Sequence, residues 1–187
     1  MKLTVAAVFV LVLLPNFAFG QEAKKIQEPE YIGVFFLLEP DTGTLIPLER
    51  QTPESKINVK AMGFGGGESV LEVKGEKSVV RFRADQKLEF VVLVASQQTD
   101  PQGIIQFFSL ESKKGKRRLV VAKAGSMGRN GKSVTSERAI PFNATKYGVS
   151  SFRIVPVQRL APGEYALGAP GNHDGFCFGI DPAAGND

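Results

Sequence analysis

The chain has 187 residues, 43% of them hydrophobic and 22% charged, with a net charge of +4 and a single cysteine. That balance excludes an intrinsically disordered chain, which lacks the apolar content to fold, and a disulfide scaffold, which needs paired cysteines. It fits one domain able to bury a core without staples.

Met1-Lys2 is a short basic start, and residues 3–14 are apolar apart from Thr4. Pro15 breaks the run, and Ala18-Phe19-Gly20 places small residues where a signal peptidase reads. The pattern is a secretory signal over 1–20, with cleavage after Gly20. The apolar run is shorter than the about twenty residues of a membrane-spanning helix, so no transmembrane segment is expected once the signal is removed. No cysteine stands at the cut, which argues against a lipid anchor. The expected location is secreted or periplasmic.

Residues 21–29 are polar and end at Pro29, the pattern of a flexible arm. From residue 30 the chain turns β-rich. Two apolar runs, 30–38 and 44–48, flank Pro40-Asp41-Thr42-Gly43 and predict a hairpin. Pro47 assigns its second strand to a sheet edge. Ile57, Val59 and Ala61 alternate with polar residues before the glycine cluster 63–67, which reads as a loop because no phosphate-loop Lys-Ser/Thr follows it. Residues 78–84 alternate, with Val80 and Phe82 inward and Arg81 and Arg83 outward. Residues 88–95 are apolar on both faces and predict a central strand. A strand over 104–110 and another over 119–122 join through Lys113-Lys114-Gly115-Lys116 as a second hairpin. Residues 125–135 are rich in Gly and Ser and read as a loop. Short strands follow at 139–142, 152–157, 165–167 and 176–180. No stretch keeps a helical period, so the expected fold is all-β: one β-sandwich over 30–181, immunoglobulin-like with additional strands, and a disordered tail over 182–187.

Leu160-Ala161-Pro162-Gly163-Glu164-Tyr165 carries the sharpest architectural signal. Pro162 and Gly163 force a tight corner, and Tyr165 follows at the start of a strand. That is the pattern of a tyrosine corner, whose hydroxyl returns to main chain a few residues upstream. Together with residues 70–78, Asp100-Pro101 and the terminal Phe176-Cys177-Phe178-Gly179-Ile180-Asp181, this corner resembles a family of exported bacterial proteins of unknown function. The resemblance covers most of the chain beyond the signal. It implies an envelope or secreted protein and no particular activity.

The charge distribution is the strongest functional signal. Between Glu111 and Arg138 stand Lys113, Lys114, Lys116, Arg117, Arg118, Lys123, Arg129, Lys132 and Arg138, opposed by Glu111 and Glu137 alone. A block of one sign attracts anions, and Lys113, Lys114, Lys116, Arg117 and Arg118 form the candidate anion site. The same charges could instead protect a sheet edge from aggregation. The segment lacks interleaved aromatics for base stacking, so nucleic acid is not an expected partner.

His173, the sole histidine, lies beside Asp174 in a turn-rich stretch. The pair, with Asp181 or Asp100, could begin a metal or acid-base site, but turn residues occur there for backbone reasons alone. No nucleophile-elbow motif is present. Cys177, between two phenylalanines, should be buried and inert. Asn143-Ala144-Thr145 matches a glycosylation acceptor, discounted by the bacterial resemblance. The leading expectation is a non-enzymatic envelope module, binding or structural, with no cofactor or metal. Its partner would be an anionic envelope component or another envelope protein. The alternatives are a hydrolase or metal-dependent enzyme around His173, and a glycan-binding domain, the last weakened by the absence of tryptophan.

Overall fold

The structure is a computed structural model and describes residues 26–59, 66–124, 132–133, 135–169 and 171–183. The expected signal segment, most of the glycine cluster, residues 125–131 with Arg129, and the last four residues lie outside the described residues. Among the described residues are fourteen strands: β1 (Phe35–Leu38), β2 (Leu45–Pro47), β3 (Glu49–Gln51), β4 (Glu54–Val59), β5 (Gly67–Lys74), β6 (Arg81–Arg83), β7 (Phe90–Leu93), β8 (Gln106–Lys113), β9 (Lys116–Ala124), β10 (Lys132–Ser133), β11 (Phe142–Tyr147), β12 (Ser151–Pro156), β13 (Gly163–Gly168) and β14 (Gly175–Asp181). One helical turn, α1 (Pro101–Ile104), precedes β8, where alternation alone predicts strand from residue 104. Asp100 caps it, accepting a 3.0 Å bond from the Gln102 amide, and Pro101 suits its first turn. Among the described residues no helix is long and apolar enough to cross a membrane.

The strands form an all-β sandwich of two packed sheets. The smaller sheet runs β11-β12-β7-β1-β2. Its middle strand, β7, is the segment with apolar residues on both faces, and β2 with Pro47 lies at the edge. The larger sheet runs β3-β14-β13-β8-β9-β5-β4, with β10 added beside β9. β6 lies parallel to the far half of β14. Alternate residues of β14, β13 and β8 face the smaller sheet. Phe107, Tyr165, Leu167, Phe176, Phe178 and Ile180 thereby meet Phe35, Phe90, Val92 and Ile154 in one core. Phe178 sits at its centre, with ring centroids 4.9 Å from Phe90, 5.5 Å from Tyr165 and 6.0 Å from both Phe82 and Phe107. These tilted and offset contacts are favourable for aromatic quadrupoles.

The larger sheet does not stay open. Its terminal strands, β3 and β4, are consecutive in the chain, with only Thr52 and Pro53 between them. Three peptide units reach about 11 Å at most, so the two ends of the sheet must approach each other. The sheet rolls up, and β5 and β9 come to lie over the face of β8, β13 and β14 that points away from the sandwich. Cys177 therefore meets a second layer of protein and is 1% exposed.

Residue pattern alone misses three strands, the short β3, the mixed-polarity β5, and β10 inside the expected 125–135 loop. It also places a strand at 139–142, where β11 begins at Phe142 and runs to Tyr147. The last residues of the expected arm are pinned. Glu28 accepts bonds from the Val149 and Ser150 amides at 2.7 and 2.9 Å and from the Ser151 hydroxyl at 2.7 Å. Gly148 leaves room for that carboxylate, since a Cβ there would lie 2.3 Å from it. Burial opposes the Glu28 charge, but these three bonds outweigh it and hold its pKa below the ordinary value.

Candidate functional site

The β8–β9 hairpin separates the five basic residues into two groups. Its turn has positive φ at both central residues, 53° at Lys114 and 76° at Gly115, the geometry that matches strand twist in a tight hairpin. Lys113 and Lys114 stand exposed at this tip and make no ion pair among the described residues. Behind them, Lys116 bonds Glu72 at 3.1 Å, and Arg118 bonds Glu68 at 3.0 Å.

Arg117 corrects the surface reading. It is 1% exposed and lies inside the roll. Its two terminal nitrogens grip both oxygens of Glu49 at 2.8 and 2.9 Å, and it also donates to the Lys74 and Gly75 carbonyls at 2.8 and 3.2 Å. It is a buried structural cation and cannot meet a soluble anion. Period-two alternation holds the signal for this, because Arg117 shares a face with the buried Leu119.

Glu49 is the hub of this buried centre. Besides Arg117 it accepts from Gln51 at 2.7 Å and from the Ser78 hydroxyl. Burial alone would raise its pKa, but the bonds from Arg117, Ser78 and Gln51 outweigh that and hold it at about 2. The Ser78 amide donates to Glu164 at 2.8 Å, and Glu164 in turn accepts from Arg81 at 2.6 Å. Arg81 also forks onto Asp181 at 2.8 and 3.0 Å. The guanidinium lies flat against β14 at Gly179, where a Cβ would sit 2.1 Å from its nearest nitrogen. Gly179 is thus a close-approach glycine. The centre ties β3, β6, β9, β13 and β14 together. It offers no free acid or base, because each carboxylate is already bonded within it.

The suspected histidine cluster does not assemble. His173 is exposed. The Asp174 carboxylate is held by Thr52 at 2.6 Å and Arg50 at 2.5 Å, bonds that lower its pKa. Asp181 lies at the opposite end of β14, roughly 20 Å away by strand rise, and is paired with Arg81. Asp100 caps α1. Among the described residues no three His, Cys, Asp or Glu side chains are grouped to hold a metal ion. Cys177 is buried, and burial pushes its thiol up to about 12 against the opposing charge of Arg117. The thiol is protonated at neutral pH and is a poor nucleophile.

The corner residues form a clasp. The Tyr165 hydroxyl donates to the Ala161 carbonyl at 2.8 Å, four residues upstream across Pro162 and Gly163. The ring stacks on Phe178 in the core, and burial raises the phenol pKa.

The roll also encloses space. A cavity of about 150 Å³ opens between its two walls, bounded by Leu71, Val73, Phe108, Leu110, Leu119 and Cys177, with Gln106, Asn172, His173 and Asp174 also in its lining. A scan against protein-family models finds no match to this chain, and a search of curated proteins finds none either.

Proposed function

We propose that the protein is a non-enzymatic module exported to the cell envelope, where the tip of the β8–β9 hairpin engages an anionic component. The observation that carries this reading is Lys114. It is the one non-glycine among the described residues with positive φ, a conformation that Gly or Asn adopts at lower cost. A lysine held there, exposed beside Lys113, places two uncompensated charges at the end of a stiff hairpin. Such local cost commonly marks a position kept for contact rather than for folding. The enzyme reading receives less support, because the carboxylates, the histidine and the thiol are dispersed or bonded.

The test compares sedimentation with phosphatidylglycerol vesicles and with phosphatidylcholine vesicles. Lys113→Ser with Lys114→Ser should weaken binding to the anionic vesicles by about 2 kcal/mol, roughly thirtyfold, at about 1 kcal/mol per surface lysine. High salt should mimic the variant. Arg118→Ser, which removes a paired charge, should bind nearly as the parent does. Salt-insensitive binding, or equal retention of the double variant, would reject the hairpin as the contact.

A further inference from the structure

We propose that the interior of the roll is a binding site for an aliphatic chain end, the tail of a free single-chain amphiphile. The inference is independent of the hairpin, and three observations converge on it. The first is size. A cavity of about 150 Å³ has the volume of apolar cavities that accept a benzene-sized guest. It is too small for a nucleotide or an oligosaccharide, which occupy pockets of roughly 300 Å³ or more.

The second is wall chemistry. Leu71, Val73, Leu110 and Leu119 supply an aliphatic lining, in which Phe108 is the one phenyl ring and no Tyr takes part. Arg117 also lines the cavity, but each of its three nitrogens already donates, to Glu49, Lys74 or Gly75. Among the described residues one buried side-chain nitrogen lacks a hydrogen bond, the Nε of Arg118, and it does not line the cavity. A polar guest lying among these aliphatic residues would therefore lose its water without gaining a partner from them.

The third is the contrast between inner and outer lining. Leu71, Phe108, Leu110 and Ala166 are only half-buried although they face the interior, so the space communicates with solvent. The polar lining residues Gln106, Asn172, His173 and Asp174 suit the head of an amphiphile whose tail lies inside. Their loop is braced before any ligand arrives. Asp174 is held by Arg50 and Thr52, and Asn172 donates to the Gly33 carbonyl at 3.2 Å. A site pre-organised in this way loses little freedom on binding.

The experiment titrates the full chain with straight 1-alkanols from butanol to decanol, read by the methyl signals of Leu71, Val73, Leu110 and Leu119. Affinity should rise about fourfold per added CH₂, the equivalent of about 0.8 kcal/mol, and then level off once the cavity is full. Ala166→Leu should fill the space and abolish saturable binding. Leu71→Ala should enlarge it and move the plateau to a longer chain, which keeps the test open if the first variant folds poorly. Lys113→Ser with Lys114→Ser should leave the alkanol series unchanged. Affinity that does not depend on chain length would overturn the proposal. So would unchanged binding by Ala166→Leu, or retention of the parent on phosphatidylcholine vesicles, which would mean insertion into a bilayer.

Discussion

The two faces of β14 look into different interiors. Phe176, Phe178 and Ile180 enter the sandwich core, where aromatic rings from both sheets fill the space. Cys177 and the backbone at Gly179 face the other way, toward the roll, where Arg117, Glu49, Glu164 and Arg81 hold one another. The contrast is one of adaptability. Rings and aliphatic chains can choose rotamers until voids close. A guanidinium and its carboxylate must keep a planar fork geometry, so the side chains around them cannot collapse freely. The sandwich is sealed by apolar packing. The roll is held by directional bonds and retains a cavity.

Substitutions can break this comparison. Phe178→Ala should cost about 3–5 kcal/mol in urea unfolding, by loss of a buried ring and the void it leaves. Arg117→Ala should cost a similar 3–5 kcal/mol for a different reason, the Glu49 charge left buried without its partner. The difference emerges on rescue. Arg117→Met combined with Glu49→Leu removes both charges and should recover most of the loss, since apolar replacements of buried pairs are often neutral or stabilising. If the double variant is as unstable as Arg117→Ala, the pair is not the source of the cost.

Acid sharpens the same contrast, because the roll holds the Glu49 carboxylate against the buried Arg117. The Glu49 carboxyl is held at about 2 in the folded chain, against an ordinary 4.5. A depressed folded-state pKa contributes stability above the unfolded value, and that contribution is lost as pH falls from about 4.5 toward 2. The loss should be on the order of 3 kcal/mol. Urea midpoints measured between pH 7 and pH 2 should fall for the parent. They should fall less steeply for the Arg117→Met, Glu49→Leu double variant, and equal slopes would remove Glu49 from the account.

The smallest effect belongs to the clasp. Tyr165→Phe keeps the ring and deletes one bond to the Ala161 carbonyl. Ala161 lies on an exposed corner, so water can partly replace the hydroxyl. The cost should therefore sit near about 1 kcal/mol, at the low end for an abandoned partner. A midpoint equal to the parent's would make the clasp dispensable, and a loss above about 3 kcal/mol would mean that the carbonyl is shut off from water.

Much of the architecture is local and could be read from residue order. Period-two alternation located β6, short apolar runs located β7, β12 and β14, and turn chemistry located both hairpins and the corner at Pro162-Gly163. These features depend on neighbours a few residues apart, whose backbone preferences act before any tertiary contact forms. β5 and most of β11 escaped because polar residues interrupt their alternation, although each pairs with the strand next to it in the chain. The candidate site was legible only at its tip. Lys113 and Lys114 stand where a two-residue turn must expose them, whatever the rest of the chain does. Arg117 reads from composition as one more charge in a basic block, and only its partner, Glu49, separated by 68 positions, explains its burial. That pairing exists because the larger sheet rolls until strands from distant parts of the chain share one interior. Alternation states which residues share a face of a strand. What that face meets is decided by how the sheet closes, and closure is a property of strand order and twist that no local pattern contains.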